Sequence, residues 1–370
     1  MVSEITRKVL VVDDQADILE ALRLLLKGNG YLAETALSPE QALLAAAADN
    51  HDIVVIDMNY ARDTTSGAEG LALLDMLHAQ RPEVPVVVMT AWSTIDLAVE
   101  AMRRGASDFI TKPWENERVL EVLARQSNRN RELSVARRVQ RRLLPRPHFS
   151  VPGMRCECVF RPAGDIGGDL CDVFEIGHGK SALLLGDVSG KGTGAALLMA
   201  SLQATIRSSQ DLAAEPAKLM ERANRLFFHA TEPEHFATLF YGAYDAEARE
   251  LRFVNCGHPA PVLLRAGGSL ERLESTGLVL GAFANASFEE GRVSMSEGDR
   301  LVLFSDGVSE AREDEDDRWV VECLRMLNRA GSKALAESLA MAASVSADDV
   351  TVLDVCFGGV RGGLTTGLTY

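Results

Sequence analysis

KVLVVDD at residues 8–14 and DIVVIDM at residues 52–58 decide the fold of the first part of this chain. Each is a short apolar run, rich in Val or Ile, that leads into aspartate, as expected of a buried strand. Three more strand candidates, YLAETA, VPVVVMTA and DFITK, alternate with segments of helical periodicity. This alternation predicts an α/β domain with a doubly wound, five-stranded parallel sheet, whose ligands bind beyond the carboxyl ends of the strands.

Polar residues follow the strands of this predicted sheet. Asp13 and Asp14 follow the first strand, Asp57 the third, Thr90 the fourth and Lys112 the fifth. In a parallel sheet these positions converge at one edge, where carboxylates can hold Mg²⁺ and a lysine can pair with phosphoryl oxygens. The layout predicts that Asp57 is the nucleophile of a phosphoryl transfer. Asp13 and Asp14 would hold the metal, and Thr90 would sense the new charge.

This ordered set of residues resembles the receiver domain of two-component response regulators. In both, DD follows the first strand, D the third, T the fourth and K-P the fifth. The resemblance covers about residues 6–125. It implies a sensor histidine kinase or phosphotransfer protein as phosphate donor, Asn59 beside the magnesium ion and Phe109 at the aromatic switch position. The loop at residues 59–70 is longer than usual in this family, which leaves the docking surface open. The alternative is a receiver-like fold that only docks partners.

A long helix is predicted between Glu115 and Leu144, where the sequence has no convincing breaker before Pro145. It carries a mixed seam with 4-3 spacing, which can form a dimeric coiled coil or belong to a single helix on a domain surface. Both interpretations stay open, and a homodimer through this helix is one of the partners considered. The seam consists of Val122, Gln126, Arg129, Leu133, Ala136, Gln140 and Leu143.

From Phe149 onward the chain changes to strand candidates and glycine-rich turns, which predicts an α+β domain. Helical stretches are predicted at residues 195–208 and 216–230. Strand candidates are SALLLGDVS, ATLFYGAYD, LRFVNCG, PVLLRA, RLVLFSDG and VTVLDVCF.

Acids mark the strand ends of this second part. Asp169 lies in PAGDIGGDLCD, Asp187 in GDVSGKGTGAA, Asp306 in LVLFSDG, and Asp348 and Asp349 in SADDVTVLDV. No His or Cys accompanies them at ligand spacing, so the set predicts manganese or magnesium rather than zinc. Two ions could activate a water and hold phosphoryl oxygens for in-line attack, so that hydrolysis needs no protein nucleophile. Asp187 is the best candidate to bridge both ions.

These segments resemble the protein phosphatase 2C superfamily, in particular its bacterial branch of the sporulation stage II protein E and the sigma-B regulatory phosphatases. Over about residues 135–357 the resemblance rests on VQRRLLP, GDIGGDLCD, GDVSGKGTGAALLMA, HFATLFYG, NCGHPAPVLL, LFSDGVSEA and DDVTVL. It implies an α-β-β-α sandwich, a centre of two Mn²⁺ or Mg²⁺ ions, and a phosphoserine or phosphothreonine protein as substrate. The usual target in this branch is a phosphorylated anti-sigma-factor antagonist.

The resemblance also assigns roles to single residues. It makes Asp169 the first metal acid, Asp187 the bridging acid with the Val188 carbonyl as an extra ligand, and Asp306 the third acid. Asp348 is the fourth, with adjacent Asp349 as the competing choice. Two further positions are less informative: His258 in NCGHP is interpreted as structural, and Lys191 stands where the family often has His. The alternative to an enzyme is a catalytically weak pseudophosphatase that binds a sigma-factor regulator.

The predicted order is therefore a receiver domain (residues 1–124), a helical linker (125–148), a phosphatase 2C-like domain (149–358) and a flexible tail (359–370). We expect phosphorylation of Asp57 to control a metal-dependent serine/threonine phosphatase through the helix between the domains. Whether phosphorylation activates or inhibits is not encoded in any single residue.

Composition excludes several other classes. The net charge of −15 argues against a nucleic-acid surface, because phosphate backbones need clustered Lys and Arg. The six cysteines show no C-x-x-C pair and no apolar signal segment is visible, so reduced thiols in a cytoplasmic protein are expected. Apolar stretches are too short to span a bilayer, and no helix-turn-helix with a basic recognition face follows the first domain. A membrane anchor and a transcription factor are therefore not expected.

Overall fold

The computed structural model describes residues 7–48, 51–60, 67–91, 95–312, 317–329, 334–344, 346 and 348–358. Contacts divide the chain into two compact units, Met1–Val135 and Ala136–Tyr370, and each is described by itself. The predicted tail at residues 359–370, and residues 61–66 of the long loop after Asp57, lie outside the described residues.

The first unit is an α/β fold built on one parallel sheet. The strands of this sheet lie in the order β2-β1-β3-β4-β5, which confirms the predicted doubly wound sheet of five strands. The elements in chain order are β1 (Arg7–Val12), α1 (Ala16–Gly28), β2 (Tyr31–Ala36), α2 (Pro39–Ala48), β3 (Ile53–Asp57), α3 (Ala68–Gln80), β4 (Val86–Ala91), α4 (Ile95–Arg103), β5 (Asp108–Lys112) and α5 (Asn116–Leu143).

The central strands of this sheet, β1, β3 and β4, are mainly apolar because helices cover both faces of the sheet. In β1, Val9 and Val11 pack into one core cluster with α1 and α5, whereas Leu10 and Val12 pack into another with α2 and α3. Every residue of β3 is buried. A parallel sheet covered on both sides lacks the alternation of polar and apolar residues, which is why its strands read as continuous hydrophobic runs.

The second unit contains two antiparallel sheets. One has the order β14-β11-β10-β9-β8 and the other the order β13-β12-β15-β16-β7-β6. Their strands and the helices are β6 (His148–Val151), β7 (Met154–Arg161), β8 (Leu170–Gly177), β9 (Lys180–Val188), α6 (Thr193–Ser208), α7 (Pro216–Ala230), β10 (Ala237–Asp245), β11 (Glu250–Cys256), β12 (Val262–Leu264), β13 (Leu270–Arg272), β14 (Gly291–Ser294), β15 (Arg300–Phe304), α8 (Asp306–Ser309), α9 (Arg318–Arg329), α10 (Leu335–Ala342) and β16 (Val350–Phe357).

The two sheets pack face to face with helices on the outside. Leu183 and Leu185 of β9 share a core cluster with Leu301 and Leu303 of β15, so the inner faces of the sheets form one core. Leu184, which points to the opposite face of β9, packs with residues of α6 and α7. Helices α9 and α10 cover the outer face of the other sheet. The layers are α-β-β-α, as predicted.

Helices α6 and α7 match the two predicted helices closely. Strands β6, β7, β8, β13 and β14 and helices α8, α9 and α10 fall outside the predicted candidates. Strands β13 and β14 have only three and four residues, which leaves too little hydrophobic periodicity to be recognised from sequence. Strand β7 is different, because Arg155 and Glu157 alternate with apolar residues and this strand signal was available.

Helix α5 confirms the long helix predicted over residues 115–144, but the predicted seam has another explanation. Val122 is fully buried in the core of the first unit, and Gln126 Nε2 donates to the Ser107 carbonyl at 3.0 Å. Gln140 is 5% exposed and is bonded to Gly167 within the second unit. These three seam residues have partners within their own units, and a homodimer through this helix stays a prediction.

Among the described residues, no helix combines the length and the apolar composition that crossing a bilayer requires.

Candidate functional site

The first unit brings three predicted acids together at one edge of its sheet. Carboxylate oxygens of Asp13, Asp14 and Asp57 all lie within 4.8 Å of one another, a spacing that fits a single divalent cation. Lys112 Nζ lies 2.6 Å from Asp13 Oδ2 and 2.8 Å from Asp57 Oδ1. The ends of β1, β3 and β5 therefore converge as the parallel sheet requires.

Burial controls the electrostatics of this edge. Burial raises the pKa of Asp57, Asp13 adds to the shift through its negative charge, and Lys112 opposes it. The backbone N–H of Asn59 donates to Asp57 Oδ2 at 3.3 Å, and the Asn59 Oδ1 atom is buried with no hydrogen-bond partner among the described residues. An unpartnered buried oxygen beside three carboxylates is what an oxygen-binding cation would satisfy.

The two remaining receiver-type positions lie on neighbouring strands. Thr90 is buried at the end of β4, opposite Thr111 of β5 in the strand register. Phe109 of β5 is 40% exposed and lines an open surface groove with Val99 and Met102 of α4. Phe109 is thus at the surface, where a change of side-chain position is accessible to a partner, whereas Thr90 lies in the interior.

In the second unit the acids also collect at one end of the sandwich. Asp169 directly precedes Leu170, which lies opposite Gly186, so Asp169 and Asp187 lie at the same end of the pair β8 and β9. In the facing sheet the Ser305 N–H donates to the Thr351 carbonyl at 3.0 Å. This bond brings the segment after β15, which carries Asp306, beside the segment before β16, which carries Asp348 and Asp349.

Asp169 is the most deeply buried of these acids. Its side chain is fully buried, its Oδ2 accepts a hydrogen bond from Thr351 Oγ1, and its Oδ1 has no partner in the described part of the chain. Burial, followed by the charge of Asp187, raises the pKa of Asp169 well above its usual range. A carboxylate oxygen in this position is costly unless a cation neutralises it.

The neighbouring acids show the same crowding. Burial raises the pKa of Asp187 to about 7, and the nearby carboxylates, with Asp306 first, add to the shift. The pKa of Asp306 is likewise raised, by burial and then by the charge of Asp348. Each acid disfavours ionisation of the others, so the cluster is built to be neutralised by bound positive charge.

The geometry separates the adjacent residues Asp348 and Asp349. Asp349 is buried, and its two oxygens accept the N–H groups of Ala163 at 2.8 Å and Gly168 at 2.7 Å. Asp348 has a side chain that is 46% exposed, and its Oδ2 lies 3.0 Å from Lys191 Nζ. Asp349 therefore supports the loop before Asp169, whereas Asp348 presents its carboxylate to the open side of the cluster.

The acids of the second unit are spread more widely than those of the first. Within the described residues, no three of them bring their ligand oxygens within 4.8 Å of one another. This spacing does not suit one shared ion, and it is compatible with two ions that use different acids and share a bridging one.

His258 lies in a turn that is held by a buried amide. Asn255 Oδ1 accepts the His258 N–H at 2.8 Å, and Asn255 Nδ2 donates to the His258 carbonyl at 3.1 Å. Burial lowers the pKa of His258 to about 3, and its Nδ1 lies 3.0 Å from Thr238 Oγ1. These contacts agree with the structural interpretation of the NCGHP motif.

Several residues that support the acids were not recognised from sequence. Thr351 holds Asp169, and Ser305 Oγ donates to the Asp349 carbonyl at 3.0 Å while accepting the Thr351 N–H at 2.9 Å. Gln140 binds the loop before Asp169. Two signals in the sequence were available. Gln140 is a polar residue at a heptad position where an apolar residue is expected, and Thr351 follows the pair Asp348 and Asp349 by two residues.

Comparison with known families decides the identity of both units. A model described as "Response regulator receiver domain" matches residues 9–124, and one described as "Stage II sporulation protein E (SpoIIE)" matches residues 177–358. The chain joins a response-regulator receiver domain to a SpoIIE-type, PP2C-like phosphatase domain. Both predicted resemblances are thereby confirmed.

Individual relatives match one domain each. The phosphoserine phosphatase RsbP of Bacillus subtilis is 28% identical over 185 residues, which cover 49% of this chain and 46% of RsbP. The response regulator protein FleR of Pseudomonas aeruginosa is 39% identical over 120 residues, which cover 32% of this chain and 24% of FleR. The chain thus spans less than half the length of these two relatives.

A solved structure supports the fold of the second unit. The SiaA-PP2C domain of Pseudomonas aeruginosa superposes with a TM-score of 0.53 at 18% identity, covering 64% of this chain and 99% of the SiaA domain. At this identity the likeness concerns the fold of the phosphatase domain alone.

Asp187 should make the stability of the phosphatase domain pH-dependent when no divalent cation is bound. Its pKa is about 7 in the folded protein against an ordinary value of 3.8, so the folded state binds more protons between these values. The free energy of unfolding therefore falls as pH rises through this window. In EDTA, we expect Asp187→Asn to unfold at a higher temperature than the wild type at about pH 8, and at the same temperature near about pH 4.

Asp299 is the matched control for this thermal unfolding experiment. Although burial opposes its ionisation, the N–H groups of Ser296 and Ala266 and the Arg265 guanidinium outweigh burial and lower the pKa of Asp299. Asp299→Asn should therefore lower the unfolding temperature at about pH 8, the opposite sign to Asp187→Asn. An equal loss of stability in both variants would contradict the proposed crowding at Asp187.

Proposed function

We propose that the phosphatase domain is a metal-dependent protein serine/threonine phosphatase, and that phosphorylation of the receiver domain on Asp57 controls it. The observation that carries the proposal is the crowded acid cluster around Asp169, whose buried Oδ1 has no hydrogen-bond partner among the described residues. Such a cluster is destabilising by itself, and structures retain this kind of strain at functional sites.

The acid side chains fit a pair of hard divalent cations. Carboxylate and carbonyl oxygens suit Mn²⁺ and Mg²⁺, and the described part of the cluster offers no imidazole or thiolate ligand. Bound ions of this kind supply activation of a water and neutralisation of phosphoryl oxygens. We assign Asp187 as the shared ligand, with Asp169, Asp306 and Asp348 as the other acids and the Val188 carbonyl as an additional ligand.

The loop after Asp187 leaves room for a phosphorylated side chain. A Cβ placed on Gly190 or Gly192 would meet no atom within 4 Å, so the backbone of this loop borders open space. Lys191, in the same loop, has a side chain that is 66% exposed and pairs with Asp348. An exposed cation beside an open loop can help to orient a phosphate dianion.

A phosphoprotein is the substrate class that this open site favours. The exposed side of the cluster, where Asp348 and Lys191 lie, suits a phosphoserine or phosphothreonine on the surface of another protein. RsbP, a relative over the phosphatase region, is named a phosphoserine phosphatase. The family resemblance further suggests a phosphorylated anti-sigma-factor antagonist as the target.

The receiver domain would supply the control. Asp13 and Asp14 would hold Mg²⁺ beside Asp57, Lys112 would pair with the incoming phosphoryl oxygens, and the Asp57 carboxylate would attack phosphorus. The phosphoryl group comes from a histidine kinase or phosphotransfer protein, whose phosphohistidine is the leaving group. The new charge would be sensed at Thr90 and passed to the surface near Phe109.

Two substitutions test whether Asp348 is a metal ligand and Asp349 a support of the loop before Asp169. We expect Asp348→Asn to lower Mn²⁺-dependent hydrolysis of a phosphoserine protein by roughly 10- to 100-fold with little change in unfolding temperature. Asp349→Asn should lower the free energy of unfolding by about 1–3 kcal/mol, because its oxygens accept two backbone N–H groups that an amide cannot satisfy equally. Turnover and thermal unfolding, measured on both variants, check this.

The control for that assay is Asp187→Ala, which should abolish the Mn²⁺-dependent turnover. The assignment would be reversed if Asp348→Asn kept full turnover while Asp349→Asn lost turnover and remained as stable as the wild type. Asp349 would then be the metal ligand. Wild-type protein without metal-dependent turnover, but with capture of the phosphoprotein, would favour the pseudophosphatase alternative.

Asp57→Asn should abolish labelling of the chain by a small phosphodonor in the presence of Mg²⁺, because the nucleophilic carboxylate is removed. Phosphate-affinity electrophoresis of the full chain measures this. Asp75→Asn is the matched control, since Asp75 is an exposed acid of the same domain that pairs with Arg104, and its labelling should equal that of the wild type. Equal labelling of Asp57→Asn and wild type would disprove the receiver assignment.

The regulation of the phosphatase is tested separately, by measuring turnover of the wild-type chain before and after it is labelled with phosphate. Identical turnover would disprove the proposal that phosphorylation of Asp57 controls the phosphatase domain.

A further inference from the structure

The loop that delivers Asp169 is held in place by side chains rather than by a strand or helix. Residues 162–169 connect β7 to β8 without regular secondary structure of their own. Asp349 accepts the N–H groups of Ala163 and Gly168, as described above, from the segment before β16. These bonds hold the loop at Ala163 and Gly168, and the residues between these two positions have a further support.

Gln140 provides that support from the last turns of α5. Its Nε2 donates to the Gly167 carbonyl at 2.7 Å, and its Oε1 accepts the Gly167 N–H at 3.2 Å. Gln140 is 5% exposed, so both bonds are shielded from water. A carboxamide offers one acceptor and a donor group in one plane, which matches the N–H and C=O of a single residue.

A second residue of the same helix strengthens the attachment. The Arg137 guanidinium pairs with the Asp165 carboxylate, and Arg137 Nε donates to the Asp165 carbonyl at 3.3 Å. The helix end thus binds the loop at two successive places, Asp165 and Gly167, immediately before Asp169.

The loop has little freedom to move once these bonds are made. A Cβ on Gly167 would lie 2.2 Å from Asp349 Oδ2, and one on Gly168 would lie 2.8 Å from the Val188 carbonyl oxygen. The backbone is therefore pressed between Asp349 and the end of β9, where Asp187 lies. Any displacement at Gly167 would be passed directly to Asp169, two residues later.

We propose that Gln140 is a positioning residue for Asp169: by holding both backbone groups of Gly167, it sets where the Asp169 carboxylate stands relative to Asp187. The inference rests on the proposed function only in so far as Asp169 is a metal ligand. Gln140 does not contact the metal or the substrate, and its effect passes entirely through the loop.

The test is Mn²⁺ affinity of the full chain, measured by isothermal titration calorimetry with and without Gln140→Met. Asp13 and Asp14 are replaced by alanine in every protein of this comparison, including the one called wild type, so that the receiver acids do not contribute. Methionine keeps the length of the side chain but offers neither hydrogen bond. Because groups that orient metal ligands typically contribute 10- to 100-fold to affinity, we expect the dissociation constant for Mn²⁺ at the phosphatase domain to rise by at least about 10-fold.

Asn224→Leu is the matched control because Asn224 makes the same kind of attachment elsewhere. It is 1% exposed, its Oδ1 accepts the Gly281 N–H at 2.9 Å, and its Nδ2 donates to the Phe283 carbonyl at 2.8 Å. The loop that it holds carries none of the metal acids. Mn²⁺ affinity should be unchanged in folded Asn224→Leu, whereas a general loss of stability would weaken binding in both variants alike.

Wild-type affinity in Gln140→Met, or equal weakening in the two variants, would overturn the proposal. If Gln140→Met fails to fold, Gln140→Asn decides by the same criterion, since it keeps the amide but is one methylene too short to reach both groups. Absence of Mn²⁺ binding in the wild type would instead contradict the proposed function. Hydrogen exchange then tests the attachment itself: the Gly167 N–H should lose protection in Gln140→Met while the Gly168 N–H keeps it.

Discussion

Mutual repulsion among buried carboxylates governs the second unit. Asp169 is fully buried, and Asp187 has a pKa of about 7. Ionisation of either carboxyl group is therefore unfavourable in the folded chain unless positive charge lies nearby. The surrounding structure keeps them together nonetheless, through Thr351 on one side and the loop bonds of Asp349 on the other. This arrangement lowers stability when no positive charge is bound, which is the usual relation between a functional site and its scaffold.

The receiver domain solves a related problem in a different way. Lys112 reaches both Asp13 and Asp57, so part of the carboxylate charge is already neutralised by the chain itself. A single compact site results, where a phosphoryl group can join Asp57 beside one cation. Both domains thus gather carboxylates at strand ends, and the roles that we propose for them are opposite: phosphate acceptor in the receiver domain and metal ligands for hydrolysis in the phosphatase domain.

The site residues that could be predicted from sequence are those that directly follow an apolar run, because such a run marks a buried strand and its last residue marks the end of that strand. Asp57 and Asp187 each follow an apolar run, and sheet geometry alone places each of them at the end of a strand in its own sheet. The family resemblance favours Asp348 over Asp349, but the sequence could not reveal their different surroundings, because these depend on which side chain finds the N–H groups of a loop that lies 181 residues away in sequence from Asp349. For Gln140 the sequence leaves two interpretations open for a similar reason: heptad spacing does not reveal whether the partner of a side chain is a loop or another helix.

The most direct test of the central claim is a Mn²⁺ titration of the full chain in which Asp13 and Asp14 are replaced by alanine to remove the receiver site. Calorimetry should then report two ions per chain, and Asp187→Ala on the same background should abolish both, because the bridging carboxylate is shared. Absence of Mn²⁺ binding in the first protein, or undiminished binding in the second, would contradict the assignment of this acid cluster as a two-metal phosphatase centre.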